Sequence, residues 1–193
     1  MKVKRIIAYF IDIFIVSVIS STLFMLPIFK DNYTTYNNYY NDYIEELKNS
    51  GSSDVDSAKL EEFQYNISKS SAPLMIIRVG VIILYFGVLG FLLNGKTLGK
   101  KILHLQIKST EGNLNPALFM IREIIVTGLV FDVISLILLS YCSKSVYLNV
   151  STYIGYANML VYFLIIGFMI FRDDERGLHD IICKTSVIDT KEK

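Results

Sequence analysis

Arg5-Ile-Ile-Ala-Tyr-Phe-Ile-Asp12-Ile-Phe-Ile-Val-Ser-Val-Ile-Ser20 begins an apolar run, Ile6 to Phe29, that is long enough to cross a bilayer and yet carries a carboxylate. An ionised side chain near mid-membrane costs at least a few kcal/mol, so it normally faces the protein interior with a partner and marks a pathway or a structural pin. Arg5, Ala8, Tyr9 and Asp12 fall on one helical face and form a polar stripe on an otherwise apolar helix. A cleaved signal peptide is the rival reading, since Met1-Lys-Val-Lys-Arg5 resembles a basic leader. The run is longer than such a leader's apolar region, and Asp12 interrupts it, so a retained helix is favoured.

The rest of the chain supports a membrane protein. Of 193 residues, 52% are hydrophobic, and the mean hydropathy is +0.44, too apolar for an ordinary soluble domain of this size. Three more apolar runs follow, and the four spans are expected near 6-29, 74-94, 117-140 and 153-171. The expected fold is an all-α membrane protein, a four-transmembrane-helix bundle in a single membrane domain. It has an external helical segment 30-73, a loop 95-116 forming a short cytoplasmic hairpin, and a tail 172-193.

Basic residues decide the orientation. Lys2, Lys4 and Arg5 precede the first span; Lys96, Lys100, Lys101 and Lys108 lie between the second and third; Arg172, Arg176 and Lys184 follow the fourth. Their placement puts both termini in the cytoplasm of a multi-pass cell-membrane protein. Segment 30-73 carries eight acids against four lysines, so the outer face is mildly acidic. It begins with Asn-Tyr repeats, then Tyr43, Ile44 and Leu47 mark one short helix. Gly51-Ser-Ser breaks it, Ser53 caps a second, and Leu60, Phe63 and Ile67 line that helix's face. A hairpin that meets an external partner and a plain solvated linker both fit this pattern. Sequons at Asn32, Asn66 and Asn149 read as chance matches in an Asn-rich chain.

Several function classes find no support. No basic patch interleaved with aromatics indicates nucleic acid, and the lysines suffice for topology and contact with lipid head groups. Cys142 and Cys183 fall on opposite sides, and His104 and His179 are scattered, so neither a disulfide between them nor a metal site is indicated. Gly90-Phe-Leu-Leu-Asn-Gly95-Lys96-Thr97 matches a phosphate-binding loop letter for letter. Its first five residues end a membrane helix, however, where a true phosphate loop joins a strand to a helix. Read otherwise, Gly95 to Lys108 is a turn followed by alternation of Leu103, Leu105 and Ile107 with His104, Gln106 and Lys108; Asn115-Pro116 then starts the third helix. No catalytic residues and no cofactor are indicated. His179-Asp180 beside Arg176 fits an ion-paired interfacial helix better than an active site.

Arg5, Asp12, Gly95-Lys-Thr-Leu-Gly-Lys-Lys101, Arg122, Leu178-His-Asp180 and Thr185-Ser-Val-Ile188 together resemble the RDD family of small membrane proteins, named for one arginine and two aspartates. By that resemblance Arg5 matches the arginine, Asp12 the first aspartate and Asp180 the second. It implies transport of a small ion, including cation/proton exchange.

Depth along the helices suggests how the charges meet. Asp12 lies about 10 Å and Arg122 about 9 Å from the inner surface, by the 1.5 Å helical rise, so an Asp12–Arg122 pair is expected. Arg5, Glu123 and Asp180 complete the inner cluster. Arg78 and Asp132 are expected to form a second buried pair towards the outer side. Three readings follow: a pin of helix register, a proton or monovalent-cation carrier centred on Asp12, or a subunit that binds another membrane protein. Four helices are few for a carrier, so transport would imply a homo-oligomer, and Gly80, Gly87 and Gly90 supply small positions for close packing.

Overall fold

A computed structural model of the chain describes residues 1–49 and 57–191. The hinge expected at Gly51 to Ser53 lies outside the described residues. Among the described residues, three helices are long and apolar enough to cross a membrane, and a bent pair makes up to four: α1 (Lys2–Phe24), α4 (Ala72–Leu92), the pair α6 (Pro116–Thr127) with α7 (Leu129–Tyr141), and α8 (Lys144–Phe171). Between α1 and α4, α2 (Lys30–Asn49) and α3 (Ser57–Ser70) pack against each other. Leu60, Phe63 and Ile67 share the half-buried face of α3.

Helix α1 buries Ala8, Asp12, Val16, Ser20 and Phe24, spaced by four, while Phe10 and Phe14 point outward. That spacing is one stripe of a 3.6-residue helix, and Asp12 sits in it. In α4, residues Ile83–Leu89 take π-helical geometry. A π turn widens the helix and is frequent at functional sites; here it accompanies two consecutive inward rings, Tyr85 and Phe86. Gly87 and Gly90 face Met120 and Phe119 within the bundle, whereas Gly80 has open space beside it.

The third apolar run is not the continuous helix expected from 117-140. Asn115 caps α6 by accepting from the amides of Ala117 and Leu118, and Pro116 fits the first turn. Gly128 then adopts φ +69, and the axis turns by 69°. A Cβ there would lie 2.8 Å from Asn158 Oδ1 and 3.0 Å from Tyr162 Oη, so both space and conformation require glycine. The break frees the carbonyl of Val126, which accepts from Tyr9 Oη at 3.1 Å. The fourth helix, for its part, begins at Lys144 and not near 153. Lys144 to Thr152 contains no glycine or proline to delay it.

The bundle is closed at the end that carries the start of α1 by a small α/β element, so the fold is not purely helical. Helix α5 (Leu98–Ile102) leads into strand β1 (Leu105–Ser109), and α9 (Leu178–Ile182) leads into β2 (Thr185–Asp189). The alternating stretch expected to form a hairpin within 95-116 is indeed extended, but its partner is the tail. The strands run antiparallel, with Leu105 opposite Asp189 and Ile107 opposite Val187. The two units are related by internal repetition, each residue of the second lying 80 after its counterpart, as Leu98 and Leu178 do. His104 and Lys184 both take positive φ, at 58° and 52°. The backbone and hydroxyl of Thr190 bond the carbonyl of His104, and those of Thr110 bond the carbonyl of Lys184. Leu105, Ile107 and Val187 pack on Ala8 and Phe119, which plugs the sheet into the bundle. Cys183 is buried beneath it, and burial pushes its thiol up.

Candidate functional site: two buried carboxylate centres

Asp12 is fully buried, and it does not meet Arg122. Its oxygens accept from Tyr85 Oη at 2.6 Å, Thr97 Oγ1 at 2.5 Å and the Gly99 amide at 2.7 Å. The physical reason is the inward tuck of the loop before α5. That short helix presents unsatisfied amides at its N-terminus, and the carboxylate of α1 supplies the acceptor while the helix end supplies partial positive charge. Tyr85 Oη also accepts from the Leu98 amide at 3.2 Å. Gly99 permits the approach, because a Cβ would come within 2.3 Å of the Ala8 carbonyl and 2.9 Å of Asp12 Cγ. These contacts also account for the phosphate-loop look-alike. Gly95, Leu98 and Gly99 donate their amides inside the protein, to Gly90, Tyr85 and Asp12.

Asp180 forms the second centre. Arg122 Nε donates to Oδ1 at 2.9 Å, and a second guanidinium nitrogen of Arg122 lies 2.9 Å from the same oxygen. Arg5 clamps Oδ2, which also accepts from the Gly177 amide at 3.2 Å, and Thr185 Oγ1 and His179 Nε2 lie 3.3 Å from Oδ1. Burial alone would raise this carboxyl, but Arg122, His179 and Arg5 hold it well below the ordinary carboxylate range. Burial and the neighbouring arginine lower His179 in turn. Arg5 also donates to the carbonyl of Glu175. Arg176, expected to pair with the Asp180 carboxylate, instead binds the Asp180 carbonyl at 3.1 Å and that of Thr185 at 2.9 Å. It precedes α9, so its side chain reaches backbone and leaves the carboxylate to the two arginines.

Glu123 joins the Asp180 centre to Lys100. Its Oε1 takes a hydrogen bond from Arg122 at 2.5 Å and lies 3.8 Å from Lys100 Nζ, and its buried Oε2 has no hydrogen-bond partner among the described residues. Lys100, read from the sequence only as an interfacial charge, is largely buried and sits 5.8 Å from the Phe86 ring centre. The inner cluster of Arg5, Arg122, Glu123 and Asp180 is therefore one connected network, with Asp12 beside it on separate donors. Arg78 and Asp132 do approach, at 3.6 Å, but Arg78 is about half exposed, so the pair is not buried as expected. Tyr85, Thr97, Gly99 and Lys100 were missed as site residues. The visible signal for Thr97, Gly99 and Lys100 was the Gly95 to Lys101 stretch, whose glycines and threonine had no role in a plain loop; Tyr85, within an apolar helix, had no such signal.

Buried charges at helix ends, a broken apolar helix and a strand pair built from loop and tail define a small helical membrane protein with a polar inner layer. The chain belongs to the RDD family, which it matches over residues 2–184. It is also similar to the "Uncharacterized protein YxaI" of Bacillus subtilis (strain 168), at 29% identity over 116 residues. That stretch is 60% of this chain and 58% of the relative, so the chain spans less than two thirds of the relative's length. No solved structure matches.

Proposed function

We propose that the protein is a carrier, and not an enzyme, that exchanges a proton against a small monovalent cation at the inner end of the bundle. The observation that carries this reading is Glu123: a buried carboxylate with one unpartnered oxygen, its other oxygen shared between Arg122 and a lysine 3.8 Å away. Sequence reasoning centred the carrier on Asp12, but three neutral donors already engage both of its oxygens, whereas Glu123 has one oxygen with no donor and keeps capacity to take a proton or a cation. Protonation of Glu123 removes the charge that holds Lys100 nearby, and a cation at Oε2 does the same by competition. The break at Gly128 supports the reading, since transport sites are typically formed at interrupted membrane helices.

The test is proton movement in proteoliposomes on addition of Na⁺, K⁺ or Li⁺. Wild-type protein is expected to collapse a pH gradient, and Glu123→Gln, folded to wild-type yield, is expected to lose that flux by tenfold or more. Undiminished flux in a folded Glu123→Gln protein would remove the carrier from this site.

The same reading takes the protein to cross the cell membrane four times, the third time through α6 and α7, with the strand pair in the cytoplasm. Cys142, partly exposed between α7 and α8, is expected to react with an impermeant maleimide on intact cells. Protection of Cys142 until the cells are opened would reverse the orientation. Cys183 is buried, so it is a poor reporter of either side.

A second reading, a subunit that docks another membrane protein, is favoured by the α2–α3 hairpin, which leaves Tyr40 and Leu47 exposed. Retained Glu123→Gln phenotype together with loss on deleting the hairpin would select it.

A further inference from the structure

A cavity of about 440 Å³ lies between α1 and α8, within the range of small-molecule sites. Phe10 and Ile13 on α1 and Ile166 and Met169 on α8 give it apolar walls, and the charged side chains of Arg5, Asp12, Arg78, Lys100 and Arg122 also line it. Phe10 and Ile166 are also outward-facing, so the space opens sideways where hydrocarbon chains would lie. The two helices meet through the Tyr9 and Tyr162 hydroxyls, 3.4 Å apart, and through Lys2 on the Ile170 carbonyl, which frame the cleft without filling it.

These charges differ in how far they are used. Asp12 has its three donors, Arg122 spends its guanidinium on Asp180 and Glu123, Arg5 is taken up by Asp180 and the Glu175 carbonyl, and Arg78 is about half exposed and lies 3.6 Å from Asp132. Lys100 has three donors, an ion-pair neighbour at 3.8 Å and a ring face, and it donates no hydrogen bond among the described residues. An ammonium held like this lacks the acceptors that water would offer. Burial pushes Lys100 below its ordinary range, and an anion at Nζ would offset that.

We infer that this cleft binds an anionic membrane lipid, its headgroup against Lys100 and one hydrocarbon chain along the walls formed by α1 and α8. The occupant is a lipid because the walls are apolar and open laterally; it is anionic because the largely buried cation lining the cleft, the Lys100 ammonium, donates no hydrogen bond among the described residues. The inference does not depend on ion exchange, and its test is read without any ion gradient.

Full-length protein is reconstituted in phosphatidylcholine vesicles containing a few per cent of phosphatidic acid with a photoreactive tail. A parallel set carries phosphatidylcholine with the same tail. After illumination, adducts are mapped by proteolysis and mass spectrometry. Phosphatidic acid is expected to label 6–13 and 162–169 about tenfold more than the neutral lipid does, a ratio in keeping with one charge-assisted contact. Lys100→Met should bring its labelling down to the neutral level. Ile166→Trp, which narrows the cleft while keeping the lysine, should reduce labelling at the same segments and supplies the test should Lys100→Met fail to fold. Equal labelling by the two lipids overturns the proposal, as does full labelling in a folded Lys100→Met or Ile166→Trp protein.

Discussion

Asp180→Asn is expected to destabilise the protein by about 3–5 kcal/mol, the range seen when one partner of a buried ion pair is removed. Arg5 and Arg122 both converge on this carboxylate, whose side chain is fully buried, and the change leaves two guanidinium groups short of counter-charge. The amide can still accept at one oxygen but repels the donors that face its nitrogen. Unfolding in mixed micelles, followed by circular dichroism, measures the loss. A loss under about 1 kcal/mol would show that the network contributes little. The pH dependence has a definite sign. Because the folded-state carboxyl is held below its unfolded value of 3.8, its contribution is fully present above that value. It is lost as pH falls towards the folded value, so the wild-type and Asn proteins should converge in acid.

Asp12→Asn is the second large expected effect, of about 3 kcal/mol, because three donors lose a charged acceptor inside the protein. A pair with Arg122 would make Arg122→Gln rescue this variant. The observed contacts give the opposite expectation. The Asp12→Asn and Arg122→Gln losses should add, whereas Asp12→Asn and Thr97→Val should couple by about 0.5–3 kcal/mol, since Thr97 Oγ1 is a direct partner. A double-mutant cycle on thermal or denaturant unfolding decides it. Rescue by Arg122→Gln would mean that the two groups interact after all.

Both variants also separate the roles of the carboxylates. Asp12 ties α1 to the start of α5, and Asp180 ties α1 and α6 to the tail, so each acts on how the elements are joined. Glu123 contacts Arg122 and Lys100 and keeps an oxygen to spare. A folded Glu123→Gln protein therefore reports on flux, while the two aspartate variants report first on assembly.

Much of this arrangement was legible in the residues. Apolar length announces a spanning helix, because a bilayer requires about 20 apolar residues, and this holds for α1, α4 and α8 whatever their neighbours. A carboxylate at position 12 in such a run must be buried and satisfied, and it is. That Arg5, Arg122, Glu123 and Asp180 gather at one end was expected from their nearness to the same end of the apolar runs. What depth could not supply was partnership: Asp12 and Arg122 lie at similar levels yet bind different groups, because rotation about each helix axis decides which side chains face each other. The internal repetition was equally hidden. Thr97-Leu-Gly-Lys-Lys-Ile102 and Gly177-Leu-His-Asp-Ile-Ile182 share little beyond two apolar positions, and the likeness lies in backbone shape, at His104 and Lys184.

By itself, then, the sequence determined that this is a helical membrane protein of the RDD type with buried charge near one face, because hydrophobic length and the expense of burying a charge are properties of local segments. Tertiary structure alone decided that the Gly95 to Lys101 loop turns inward to be capped by Asp12. It also decided that β1 pairs with the tail and not within its own loop, and that the third apolar run bends at Gly128. Each of these rests on a contact between residues far apart in the chain. Amides at a helix end, an unpaired strand edge and a freed carbonyl all demand partners, and the identity of the partner depends on which distant element the fold brings within hydrogen-bonding reach.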